Sequence, residues 1–263
     1  MTENPLMLVV TAYLVMVVVM AALWVLQRHV RNASVADVGW CAGLIATVVW
    51  YATQVSGEAE RKLIVALMVC LYAGRLGCYI FFDRIRGKTE DARYRRLRER
   101  WGSSEQLRMF GYFQLQAAAV AVFSLPFLVV IENSRPPFGI WEIAGFLVWI
   151  GAVSGEALAD WELARFRTQA WNHDRVCREG LWFYSRHPNY FFEWIHWWAY
   201  VVMAIGTPGW PLTWIGPIAM GWALLRVTGI PLAEQQAIRN RGEAYREYQQ
   251  TTNALIPWWP RRL

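Results

Sequence analysis

The stretch PLMLVVTAYLVMVVVMAALWVLQ, residues 5–27, contains no charged side chain. Wound as an α-helix it rises about 35 Å, enough to cross the hydrocarbon core of a bilayer, and it is apolar on every side, which a helix at the surface of a soluble protein is not. Residues 38–56, 63–82, 110–131, 138–159, 190–206 and 211–233 repeat the pattern. The sixth of these seven stretches is the shortest, and the last contains Pro217 and Pro231, which a membrane helix tolerates where neighbouring helices re-satisfy the backbone. The sequence thus predicts an all-α, polytopic membrane protein with seven transmembrane helices, folded as one domain over residues 1–263.

Composition points the same way. Of the 263 residues 56% are apolar or aromatic and only 17% are charged, and 17 are Trp. Soluble domains run nearer half apolar and a quarter charged, so the surplus implies an outer surface in contact with something apolar. The same figures exclude a disordered or collagen-like chain. Four Cys with no CxxC pair make neither a disulfide framework nor a metal site, and none is assigned.

Lys and Arg set the expected orientation. Residues 28–37, 83–109, 160–189 and 234–263 hold two, nine, five and five of the 26 basic residues. If the crossings alternate, these segments share one side, and the positive-inside rule makes it the cytoplasm, with the N-terminus outside and the C-terminus cytoplasmic. Residues 1–4 carry an acid and no basic group, so the first stretch is expected to be a span rather than a signal peptide. The net charge of +6 is accounted for by topology and anionic membrane lipids; no basic face interleaved with aromatics points to nucleic acid.

Polar groups inside apolar spans are costly and therefore candidates for function. Tyr72, Arg75 and Tyr79 stand at i, i+3 and i+7, on one face of the third span. The structural alternative for Arg75 is snorkelling or pairing with Asp83. At the far end of the second span Gln54 and Glu58 lie one turn apart, where a carboxyl at an apolar boundary can serve as a hydrogen-bond donor or proton source; pairing of that acid with Arg61 or Lys62 is the structural alternative. Asp37 and Trp40 open the same span as a helix start and an aromatic-belt residue. Gly151 and Gly155 are spaced for close helix packing.

The basic segment 83–109 reads as a loop contacting lipid headgroups, with Glu90, Asp91 and Tyr94 as its more site-like members. Residues 160–189 differ. Arg165, Arg167, Arg175, Arg178 and Arg186 are mixed with Asp160, Glu162, Asp174, Glu179, His173 and His187, which suits a large polar ligand bearing phosphates and ribose hydroxyls. The segment runs through Tyr184-Ser-Arg-His-Pro-Asn-Tyr-Phe-Phe-Glu193 into the sixth span, with Asn189 and Glu193 at i and i+4 on one side of its first turns. No GxGxxG, Walker loop, HExxH or GxSxG occurs, so a nucleotide would have to be held by helices and loops.

At Gly180-Leu-Trp-Phe-Tyr-Ser-Arg-His-Pro-Asn-Tyr-Phe-Phe-Glu193 the sequence resembles the steroid 5-alpha-reductase family, particularly its bacterial members. Asp37-Val-Gly-Trp40, Tyr72-Ala-Gly-Arg75 with Tyr79, Glu156 with Asp160, and the tail from Pro231-Leu-Ala-Glu234 to Pro257-Trp-Trp-Pro260 support the likeness over most of the chain. The resemblance implies a seven-helix membrane reductase that uses NADPH to reduce the carbon–carbon double bond of a 4-ene-3-oxosteroid or a similar enone lipid. It implies cofactor contacts at Arg75, Tyr79, Asp160, Tyr184, Asn189 and Glu193. Arg165, Arg167, Arg175, Arg186, His187 and Glu234 are expected beside them from the Arg-rich segment and the tail. It implies Tyr72 near the reacting enone, and Gln54 and Glu58 as counterparts of a Gln-Glu pair that is adjacent in the family and here has three residues between. Phe192 stands where the family commonly has Gly.

The Arg-His-Pro piece is also similar to isoprenylcysteine carboxyl methyltransferases, so the rival enzyme is a membrane methyltransferase using S-adenosylmethionine. A non-enzymatic lipid carrier is the rival from another class. Intramembrane Arg75 between two tyrosines, together with a separate Arg/Asp/His cluster, is more than a carrier needs.

Overall fold

The structure, a computed structural model, describes residues 4–172, 174–227 and 229–261. It is all-helical, with 79% of the chain in helices and no strand among the described residues. Among the described residues six segments are long and apolar enough to span a bilayer: Pro5–Val30, Val35–Gln54, Ala59–Arg84, Ala92–Ile131, Ile140–Thr168 and Trp210–Arg241. The chain is an integral membrane protein by this measure, with Leu6, Val18, Leu67 and Leu147 each more than half exposed on the outer faces of those helices. Chain contacts divide it into two compact units, one of residues up to Gly139 with Ala204–Ile215, the other of Ile140–Met203 with the chain from Gly216 on.

In the first unit α1 (Pro5–Val30) starts at Asn4, whose side chain accepts from the Leu6 N–H at 3.0 Å, and ends with Arg31 in the left-handed region. Its inward ridge of Leu8, Ala12, Met16 and Met20 repeats every four residues. The ridge meets α2 (Val35–Gln54) at Gly39 and Gly43, where a Cβ would stand 2.3 Å from Leu23 Cδ1 and 2.6 Å from Met16 Cε. These two glycines are sockets for the thioether and leucine side chains of α1. α3 (Ala59–Arg84) approaches α2 less closely at Gly77, where a Cβ would stand 3.2 Å from Cys41 Cβ.

The basic segment read as a loop contains a helix, α4 (Ala92–Trp101), capped by Asp91 accepting from the Arg93 N–H at 2.8 Å and stopped at Gly102, φ +51. α5 (Glu105–Ile131) follows after a 3-10 turn and accommodates Pro126 in its buried half. α4 forms because its polar groups have partners. Arg98 binds Glu90 and Gln27, and Arg93 binds Asp37.

In the second unit α6 (Ile140–Thr168) runs well past residue 159, where the apolar stretch stops. Asp160, Glu162, Arg165 and Arg167 are therefore on a helix and not in a loop. After the one-turn α7 (Leu181–Tyr184), α8 (Pro188–Met203) packs antiparallel to α6. At 16 residues it rises about 24 Å, less than the roughly 30 Å of a hydrocarbon core. Gly145 and Gly155 make the close approach, under Met203 and the Phe192 ring; a Cβ on Gly151 would meet nothing within 4 Å, so the expected Gly151/Gly155 pair is half right. The one-turn α9 (Trp210–Thr213) belongs to the first unit. α10 (Ile215–Trp222) then leads into a π-helical stretch, Ala223–Val227. α11 (Ile230–Arg241) and α12 (Glu243–Thr251) complete the second unit, and Gly242 between them takes φ +54.

Candidate functional site

In the second unit the Ser185-Arg-His-Pro188 turn is the hub. Extending α6 and starting α8 at Pro188 brings Asn189 beside Asp160, and its side-chain N–H donates to Asp160 Oδ1 at 3.1 Å. The other end of the Asn189 amide accepts from the Tyr190 N–H, so both of its functions are fixed. One turn on, Glu193 Oε1 accepts from Trp197 Nε1 at 3.2 Å within α8, and the carboxyl is buried. Glu156, one turn before Asp160 on α6, is buried as well.

Arg186 and Glu234 form the second part of the hub. Arg186 Nε donates to Glu234 Oε1 at 2.7 Å, His187 Nε2 lies 3.3 Å from the same oxygen, and Gln249 Nε2 donates to Glu234 Oε2 at 2.7 Å. Arg186 Nη1 donates to the carbonyls of Gln249 and Thr252. The tail of the chain is bound to the turn by its backbone: Arg186 N–H to Asn253 O, Ser185 Oγ to Leu255 O at 2.8 Å, and Trp258 N–H to Tyr184 O at 2.9 Å. Tyr248 donates its hydroxyl to the Trp182 and Ser185 carbonyls. Burial pushes that phenol far above its ordinary range, so it remains a donor. Burial also holds His187 below the ordinary imidazole value, against its hydrogen bond to the Glu234 carboxylate, and its ring stacks on Tyr190 at 5.3 Å. A neutral His187 therefore carries its proton on Nε2, toward Glu234.

The structure thus gathers Asp160, Arg186, His187, Asn189, Glu193 and Glu234 in one unit, with Tyr184 at its edge. Tyr184 also borders a cleft of about 540 Å3 with Leu158, Glu162, Arg178 and Phe183. Arg165, Arg167 and Arg175 are exposed; Arg165 stacks over Trp161 at 5.3 Å, and the Arg175 carbonyl accepts from Arg241. His173 lies outside the described residues.

In the first unit Tyr72 is wholly buried, and Arg75 and Tyr79 are half-buried on the same side of α3. Glu58 is the exposed N-cap residue of that helix, and Gln54 donates to Thr53 Oγ1. Fourteen residues of helix separate Glu58 from Tyr72, about 21 Å along the axis, so the two cannot act on one substrate atom together. Arg61 and Lys62 bind main-chain carbonyls instead, those of Asn133, Arg135 and Val55.

Two polar clusters escaped the sequence reading. Asp37, read there as a helix start, accepts from Arg93 and from the Tyr94 hydroxyl, both at 2.8 Å, and Tyr94 lies 3.3 Å from the Tyr112 hydroxyl. Within α8, His196 and Tyr200 are both fully buried, 3.3 Å apart between Nε2 and the hydroxyl. Polar residues three and seven positions beyond Glu193 inside an apolar stretch were a readable signal for the second cluster.

Among known proteins, no curated sequence and no solved structure matches the chain. A family profile described as protein of unknown function (DUF1295) matches residues 23–252.

Proposed function

We propose that this chain, which belongs to the DUF1295 family, is a membrane reductase that uses NADPH to saturate the carbon–carbon double bond of an enone lipid of the 4-ene-3-oxosteroid type. In this reading α8 supplies a seventh crossing beside the six long segments, the N-terminus is outside, and the C-terminus and the Arg-rich end of α6 face the cytoplasm, where the cofactor is found.

The observation that carries the reading is the polar line where α6 meets α8, buried Asp160 and Glu193 with half-buried Asn189 between them, beside the Arg186–Glu234 clamp. Ionisable groups at this depth are costly even when paired with one another, and mark sites of function. Their chemistry fits the proposed cofactor. Carboxylates and an amide recognise ribose hydroxyls and a carboxamide, and the outward Arg165, Arg167 and Arg175 suit phosphates. NADPH, when bound, supplies the hydride.

What the chain's own residues do follows from their positions. Asp160 fixes the Asn189 amide so that its orientation is set before any ligand arrives. Arg186 does not reach outward: its Nε and Nη1 hold Glu234 and the tail, which makes it the residue that shapes the turn. In the first unit the buried Tyr72 hydroxyl would donate to an enone oxygen and stabilise the negative charge that develops there, in surroundings without competing water. Exposed Glu58 has no such setting.

The test is a thermal-unfolding shift of the purified protein with NADPH and, separately, with S-adenosylmethionine, followed by NADPH consumption with an enone steroid and mass analysis for two added hydrogens. Stabilisation by NADPH with product formation is expected. Stabilisation by S-adenosylmethionine alone would replace the reading with that of a methyltransferase.

A further inference from the structure

The tail Pro257-Trp-Trp-Pro260 is held firmly by its backbone yet leaves its side chains outside. Trp258 and Trp259 are 67% and 69% exposed, next to Ile256 at 58%. Trp259 packs edge-on against Tyr184 at 5.2 Å and Phe183 at 6.4 Å, so the exposed apolar surface is continuous from α7 into the tail. Two prolines stiffen it, and Arg261 and Arg262 follow in sequence.

The axial level of this patch on the second unit is fixed by α7. Trp182 Nε1 donates to the Ala159 carbonyl and the Leu181 N–H donates to Glu162 Oε2, both at 2.9 Å, so α7 docks on α6 between residues 159 and 162. That is the level of Trp161, where the exposed apolar strip of α6 ends after Ile143, Leu147, Ile150 and Leu158. Trp161 carries Arg165 over its ring, the arrangement of an aromatic at the boundary between acyl chains and headgroups.

We propose that the 257–260 tail is an interfacial anchor, with Trp258 and Trp259 seated in the lipid headgroup layer beside Trp161 and the exposed Arg261 on anionic phosphate groups. The occupant is lipid because the tail stands at the end of a lipid-facing strip, and because indole rings flanked by Arg match the interface in both polarity and charge. The same tail supplies the carbonyls that bind Arg186 and Ser185, so seating it in the bilayer steadies the Ser185–Pro188 turn. The inference needs no particular cofactor or reaction.

The test uses the full chain in nanodiscs of phosphatidylcholine and phosphatidylglycerol. Trp259→Cys, made in a chain with Cys70 and Cys78 replaced by Ser, is labelled with an environment-sensitive dye, and lipids carry a quencher on the headgroup, high on the acyl chain or at its methyl end. Loss of most of the emission to the first two quenchers and of little to the third is expected. Emission quenched only by aqueous iodide would overturn the proposal, as would emission that neither lipid nor iodide quenches, the result for a tail covered by a second copy or another protein. To keep the test independent of the variant's folding, the unmodified chain is also crosslinked with a headgroup-diazirine phospholipid. Adducts on the peptide containing Trp258 and Trp259 are expected, and adducts on the α6 strip with none on the tail would count against it.

Discussion

Arg186 and Glu234 are 48 residues apart in sequence and 2.7 Å apart in space, and the same arginine also donates to the carbonyls of Gln249, Thr252 and Asn253. Their side chains are only 10% and 14% exposed. Removing one partner leaves the other charge poorly solvated, a loss of about 3–5 kcal/mol. Glu234→Ala should therefore lower the unfolding temperature markedly and Glu234→Gln less, since the amide still accepts from Arg186; differential scanning fluorimetry in detergent reads the ranking.

The proton on His187 gives a pH dependence with a definite sign. Burial, opposed by Glu234, sets its folded-state value below that of the unfolded chain, so the native state prefers the neutral ring. Its contribution to stability is complete above about pH 6.5 and is lost as pH falls below that toward the lower folded-state value. His187→Gln should flatten this part of the stability–pH curve, measured as unfolding temperature between mildly acidic and neutral buffers.

Asn189→Ala removes the amide that Asp160 orients. If the second unit holds NADPH, its dissociation constant should rise about threefold to tenfold, the equivalent of one neutral hydrogen bond. Titration calorimetry checks this, with the unfolding temperature of the unliganded variant as a control for folding.

Tyr72→Phe should abolish turnover of an enone steroid with little change in NADPH affinity, whereas Glu58→Gln should leave turnover near that of the parent protein. The contrast rests on the 14 residues of helix between them and on the exposure of Glu58. Equal loss in both variants would reinstate Glu58 as a catalytic group.

Three glycines of one helix should respond differently to Ala. At Gly145 the new Cβ would lie 2.6 Å from the Ala199 carbonyl oxygen, a backbone atom, and the strain should cost roughly 1–3 kcal/mol. At Gly155 it would press on the Phe192 ring, which can tilt, and the loss should be smaller. At Gly151 it meets nothing, and Ala should add roughly 0.5–1 kcal/mol through helix propensity. Thermal unfolding of the three single variants orders them.

Six of the seven expected spans were legible because a bilayer imposes length and apolarity together: residues 5–27 and 63–82 fall within long helices and 38–56 overruns α2 by two residues, whereas 190–206 falls largely on α8, which is shorter than a crossing. The ends were not, because polar residues continue a helix wherever tertiary partners wait for them. α4 exists through Asp37, Glu90 and Gln27, and α6 continues past Ala159 through contacts at Asp160 and Glu162 with distant Asn189 and Leu181. The hub was half legible. Asn189 and Glu193 share a readable spacing, but that Asn189 meets Asp160, 29 residues away, and that Arg186 binds Glu234 and the tail depend on returns of the chain that no local pattern encodes. Asp37 was underestimated for the same reason, its partners lying 56 and 57 residues away.

The sockets at Gly39 and Gly43 place the sulfur atoms of Met16 and Met20 where oxidants cannot reach them, with Met16 4% exposed and Met20 not at all. A sulfoxide is bulkier and polar, and neither socket has room for it. Once formed it would hold α1 away from α2, so oxidation at Met16 or Met20 would report a separation of the two helices, whereas oxidation at Met7, 56% exposed on the same helix, would report the dose of oxidant alone.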